Sequence, residues 1–142
     1  GDQIMDTMFA NAVSVLGATN TVSQMAVLAA LKDSHFMKTF ETAFDYRRKA
    51  AYEILNQIPG VSMEVPESGF LCWVDVSKLG DSTDIASYLV KEAKVSVNDG
   101  INYGAGGEGH LRIVLGVYRD NQKVVDALYR MRDALMRYPR TE

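Results

Sequence analysis

Between Val95 and Val117 the chain reads VSVNDGINYGAGGEGHLRIVLGV, and the end of that stretch constrains the fold most. Leu111, Ile113 and Leu115 alternate, which predicts a strand buried on one face only. Such a strand needs a sheet with one covered face and one open face. Arg112 falls on the open face with His110 and Val114. Its guanidinium cannot lose its charge, so a sheltered position calls for an anion. Two kinds would serve: one of the chain's own acids in a structural pair, or a ligand carboxylate, which the planar fork fits bidentately.

Five of the eleven glycines lie between Gly100 and Gly109. The run Gly104-Ala105-Gly106-Gly107-Glu108-Gly109 matches G-x-G-x-x-G. A dinucleotide site, however, needs those glycines after a strand and before a helix. Here they lead straight into HLRIVL, and Glu108 would put negative charge where a phosphate should sit. The glycines instead predict a wide turn between strands, with positive φ or close backbone approach, which would also let a ligand near Arg112.

Helical spacing predicts a first helix over residues 3–16, broken at Gly17-Ala18-Thr19-Asn20, then a second over 22–31. A long helix follows from a Ser34 cap to about Ile58, with Phe36, Phe40, Phe44, Ala51, Leu55 and Ile58 as its stripe. The run Arg47-Arg48-Lys49 is expected to be a solvated or snorkelling face. Pro59-Gly60 ends this helix. Strands are predicted over 61–65, 70–76, 95–98 and 110–117. A helix starting at Asp81 or Ser82 lies between the two strand pairs. A last helix begins at Asp120 or Asn121, its C-terminal end complemented by Arg130, Arg132 and Arg137. The class is α+β: a small, mainly antiparallel sheet covered by helices, with a long helix in the N-terminal half. The seven methionines fall mostly on the helical stripes and read as core filling.

The net charge of −3 gives no electrostatic case for nucleic acid or an anionic membrane. No apolar run approaches a membrane span in length. One cysteine, Cys72, and two histidines leave no internal disulfide and no zinc-ligand spacing. Cys72, between Leu71 and Trp73, reads as a small buried residue and agrees with a reducing cytosol.

Three stretches carry a resemblance. Val95-Ser96-Val97, Gly100, Tyr103-Gly104, Gly107, Gly109 and Arg112-Ile113 resemble V-x-V-x-x-G-x-x-[FY]-G-x-x-G-x-G-x-x-R-[IF] of fold-type I, pyridoxal-phosphate-dependent aminotransferases of class I/II. Pro66 to Asp75, PESGFLCWVD, resembles that family's P-x-[GA]-G-[FT]-[FYL]-x-W-x-D strand. Gln24-Met25-Ala26 and Ala29-Ala30-Leu31 resemble its Q-x-A…A-L helix. The matches come in the family's order and cover most of residues 24–137. Where the family often has Pro-Gly this chain has Asp99-Gly100, so the loop is expected to keep its path but lose the proline's rigidity.

The resemblance implies a C-terminal small domain over residues 21–142, preceded over 1–20 by a remnant of the segment that joins it to a large domain. It implies that Arg112 grips a substrate α-carboxylate, with Tyr103 as a further substrate-binding residue. The parent would exchange an amino group between an amino acid and a 2-oxo acid, using pyridoxal 5'-phosphate as electron sink on a Schiff-base lysine. That lysine and the cofactor's other ligands are expected upstream, so no catalytic or cofactor-binding residue is assigned here. Lys78, in the turn VSKLG with no G-x-R behind it, does not match the motif. The chain alone is expected to be inactive and to need the missing large domain. The family further implies a cytoplasmic homodimer. A carbon–sulfur lyase of the same fold, or a non-catalytic amino-acid-binding regulatory module, fits the same residues.

Overall fold

The computed structural model describes residues 1–18 and 20–139. Thr19, within the expected helix break, and residues 140–142, at the end of the expected small domain, lie outside the described residues. The chain divides into two compact units, Gly1–Phe40 and Glu41–Glu142.

The first unit holds helix α1 (Asp2–Leu16), helix α2 (Thr21–Lys32) and the start of helix α3 (Ser34–Leu55). Asn20 caps α2 by accepting the Ser23 N–H at 3.0 Å. The cap of α3 is Asp33 rather than Ser34, because the Asp33 carboxylate accepts the Phe36 N–H at 3.0 Å. The apolar residues of α1 and α2 stay exposed, with no buried residue in either helix. Five of the seven methionines (Met5, Met8, Met25, Met37 and Met136) are exposed, and only Met63 and Met131 fill core. The expected core filling therefore fails for α1, α2 and these five methionines, whereas the end of α3 and the stripes of the two helices that follow it are core as expected.

The second unit is the α+β domain. Strands β1 (Leu71–Asp75), β2 (Asn98–Asp99) and β3 (His110–Val114) form an antiparallel sheet in the order β1-β3-β2. Helix α4 (Ser82–Tyr88) precedes β2 and helix α5 (Asn121–Leu135) follows β3. Asp81 and Asp120 cap them, Asp81 accepting the Thr83 and Asp84 N–H groups and Asp120 that of Gln122. Leu55 and Ile58, Val74 and Val76, Ile85 and Leu89, Leu111 and Leu115, and Leu128 with Leu135 share one buried cluster. The end of α3 together with α4 and α5 thus contributes to the sheet's covered side, as one-sided alternation demands.

The expected 110–117 strand ends at Val114, where residues 115 and 116 turn, and two other expected strands are cut back further. Residues 61–65 make only an isolated bridge, Ser62 to Asp75. Asn56 explains this: its side chain accepts the Met63 N–H at 2.9 Å and donates to the Met63 carbonyl at 3.0 Å, taking both groups a partner strand would need. Residues 95–97 leave the sheet because α4 continues as a π-helical turn, Leu89–Ala93, that ends on left-handed Lys94. The Val95 N–H then bonds back to Leu89.

The basic run is not a solvated face. Arg47 is 3 % exposed and Arg48 8 %, while Lys49 is exposed and paired with Asp45. Arg47 donates to the carbonyl of Leu115 at 2.7 Å, to that of Arg119 at 3.0 Å and to Asn121 Oδ1 at 2.7 Å. Arg48 donates to the Gly69 carbonyl at 2.8 Å. The turn after β3 and the turn before β1 bring carbonyls without strand partners over α3. Guanidinium forks satisfy them.

Candidate functional site

The open face of the sheet follows from the register. Arg112 stands level with Trp73 on one side and Asn98 on the other, and His110 stands level with Asp75. Cys72, Val74, Leu111 and Ile113 point into the core, so their neighbours Trp73, Asp75, His110 and Arg112 point away from it. Burial holds the Cys72 thiol up at about 11, an inert buried cysteine as expected from sequence.

Arg112 Nη1 donates to Asn98 Oδ1 at 3.2 Å and to the Tyr103 hydroxyl at 3.0 Å. Its guanidinium carbon also lies 5.2 Å from the Tyr103 ring centroid. Both hydrogen-bond partners are neutral. Among the described residues no carboxylate forms an ion pair with Arg112. The fork is oriented by neutral groups and keeps donors available for an anion.

Around it is an aromatic ledge. The Trp73 and His110 rings stack with centroids 5.3 Å apart at 14°. Tyr103 meets Trp73 edge-on at 5.8 Å and 90°. His110 Nδ1 lies 3.1 Å from the Glu108 carbonyl, which can only accept, so Nδ1 is the donor in this contact. Asp75 accepts the backbone N–H and hydroxyl of Ser77, which hold its carboxyl below the usual range. Trp73, Asp75 and His110 border a hollow of about 650 Å³ on the β1 side.

The glycine loop is tied down more firmly than Asp99-Gly100 suggested. Thr83 donates its hydroxyl to the Asp99 carboxylate and Ser82 does so at 2.7 Å; the Ile101 N–H adds a third bond at 3.1 Å. The Thr83 hydroxyl is the main cause that holds Asp99 below the usual carboxylate range. At the loop's other end Glu108 accepts the Ser82 N–H at 3.1 Å. Side-chain tethers to the start of α4 therefore replace what a proline ring would fix. A Cβ on Gly100 would lie 2.1 Å from the Gly107 carbonyl oxygen, and one on Gly107 would lie 2.0 Å from that of Gly100, so the loop's two sides touch backbone to backbone.

The two residues singled out from sequence, Arg112 and Tyr103, are in contact. Asn98 and Trp73 had not been assigned a role. Strand alternation places Trp73 opposite its buried neighbours Cys72 and Val74, but only the register shows that it stands beside Arg112. Lys78 lies in the turn after β1, packed against Gly60. No cluster of metal-ligating side chains occurs among the described residues, and no single helix there is long and apolar enough to cross a membrane.

No family model matches the chain. It is 33% identical over 132 residues to a protein of Aquifex aeolicus named probable aspartate/prephenate aminotransferase, covering 88% of this chain and 32% of that one. It is 31% identical over 104 residues to a cystathionine beta-lyase of Bacillus subtilis, covering 71% of this chain and 27% of the other. An aromatic aminotransferase from Pyrococcus horikoshii superposes with a TM-score of 0.76 at 29% identity, over 93% of this chain and 36% of that one. The chain spans about a third of the length of the curated relatives it matches. Relatives and structural neighbours alike are predominantly pyridoxal-phosphate-dependent aminotransferases, and the matched share is what a C-terminal small domain would occupy.

Proposed function

We propose that this chain serves as the C-terminal small domain of a pyridoxal-phosphate-dependent aminotransferase, in which Arg112 grips the α-carboxylate of the amino acid and of the 2-oxo acid. The observation that carries this reading is the state of Arg112: oriented by Asn98 and Tyr103, both neutral, and paired with no carboxylate among the described residues. A structural arginine on a sheet face is ordinarily matched by an acid. Arg112 instead offers its remaining donors to whatever approaches the open face.

Tyr103 fixes the guanidinium plane and walls the grip on the loop side. The ledge of Trp73 and His110 excludes water from the other side and presents an apolar surface to the substrate's body. Residues 1–20 are read as part of the connection to a large domain and 21–142 as the small domain. This face does not itself make a place for the cofactor. Leu71, Trp73, Asp75, Asn98, His110, Arg112 and Val114 line it, and none can form a Schiff base with pyridoxal phosphate. The large domain is proposed to supply that lysine, and a cytoplasmic homodimer is proposed for the whole, supported by the family resemblance.

In the full-length parent, Arg112→Lys keeps the charge and loses the fork, so kcat/KM is expected to fall by about 2–3 kcal/mol, roughly 30- to 150-fold. Unchanged kcat/KM for the amino-acid substrate would return Arg112 to a purely structural role. The likeness to a cystathionine beta-lyase supports a second reading, elimination at Cβ with the same carboxylate grip. Product analysis separates the two: pyruvate and ammonia for the lyase, a new amino acid for the aminotransferase.

A further inference from the structure

The short second strand leaves a gap whose lining is chemically one-sided. The Leu115 N–H donates to the Phe70 carbonyl at 2.8 Å, so ladder alternation turns the backbone groups of Arg112 and Val114 toward β2. Arg112 meets Asn98 there, but on that side no residue is in register with Val114. The π-helical turn and left-handed Lys94 swing residues 95–97 outward. Between them and β3 opens a wedge of about 470 Å³, floored by Val124, Leu128 and Met131 of α5, a volume typical of small-molecule sites.

Three cations, Lys94, Arg112 and Arg130, line this wedge, and no carboxylate does. The Arg130 Nε donates to the Ala93 carbonyl at 3.0 Å, which sets the plane of its guanidinium. Its terminal nitrogens have no hydrogen-bond partner among the described residues. The nearby Asp126, in an adjoining hollow, is held by Gln122 at 2.8 Å. An apolar floor under an oriented and unmatched guanidinium is complementary to a small acid with an apolar body.

We propose that the wedge between residues 95–98, β3 and α5 binds a small carboxylic acid with a branched apolar or aromatic body. The carboxylate sits on the terminal nitrogens of Arg130, with Lys94 adding charge at the rim. The body covers Val97, Ile113 and Leu128. This assignment does not depend on what reaction the open face serves.

The test is a methyl NMR titration of the 142-residue chain with 4-methylpentanoate, and with 4-methylpentan-1-ol as its uncharged counterpart. Saturable shifts confined to the methyl groups of Val97, Ile113, Val117, Leu128 and Met131 are expected for the acid, with the alcohol binding at least about tenfold more weakly. Arg130→Met removes the exposed cation, together with its bond to the Ala93 carbonyl, and should weaken the acid, not the alcohol, by about tenfold. Ala127→Trp should fill the wedge and abolish both. Equal affinity for acid and alcohol, indifference to Arg130→Met, or no shifts at these methyl groups would overturn the proposal.

Discussion

Arg47→Met separates two readings of one basic run. The methionine keeps most of the aliphatic stem but removes every donor, and with it the guanidinium that lies 5.5 Å from the Phe44 ring centroid. The Leu115 carbonyl then loses a buried partner at 2.7 Å, and the Arg119 carbonyl and Asn121 side chain lose part-buried ones. Taking about 2 kcal/mol for the buried acceptor and about 1 kcal/mol for each part-buried one, the loss is about 4 kcal/mol. Against a whole-domain stability of roughly 5–15 kcal/mol, that leaves a marginal fold. Urea titration followed by tryptophan fluorescence suits the purpose, since the single tryptophan, Trp73, lies in the sheet. The neighbouring Lys49→Met is the control: its ion pair with Asp45 is exposed, so the midpoint should not move measurably. A loss for Arg47→Met below about 1 kcal/mol would refute the reasoning, because it would mean the turn carbonyls find other donors at no cost.

Two further outcomes follow from the site. Gly100→Ala would place a Cβ 2.1 Å from one carbonyl oxygen and 2.5 Å from another, both backbone, so a loss of about 3 kcal/mol or more and a displaced Tyr103 resonance are expected in the urea midpoint and the NMR spectrum; a wild-type midpoint would show that the loop yields freely. Cys72, with its thiol pushed up to about 11 by burial, should resist iodoacetamide at pH 8 until urea unfolds the chain, and labelling of the native protein at the free-thiol rate would contradict its burial. The raised value favours the protonated thiol in the folded state, so this contribution to stability is complete below the ordinary thiol range and is lost as pH rises through about 11.

Much of the α+β domain could be read from period and punctuation, because Leu111, Ile113 and Leu115 or the caps at Asp81 and Asp120 act within a few residues of themselves. The same is true of the glycine turn. What escaped reading depends on groups far apart in sequence. Asn56 intercepts the backbone of Met63, and no local pattern marks an asparagine that will do so. Arg47 and Arg48 look like any solvated run until two turns, one nearly seventy residues later, deliver their carbonyls. The tethering of Asp99 depends in the same way on Ser82 and Thr83 arriving from another helix. Burial failed for α1 and α2 because periodicity reports which side of a helix is apolar, not whether anything covers it.

The ring-like closure of the glycine loop also separates what natural selection can alter from what it must keep. Gly100 and Gly107 clasp the loop at its neck, while Asp99 and Glu108 hang both stems from one helix. Side chains between the two glycines that do not touch Arg112, as Tyr103 does, can be exchanged without shifting the strand that carries it, Ile101 and Asn102 among them. A lineage could therefore vary the loop's outer surface by substitutions at Ile101 and Asn102, while the setting of Arg112 between Asn98 and Tyr103 passes unchanged.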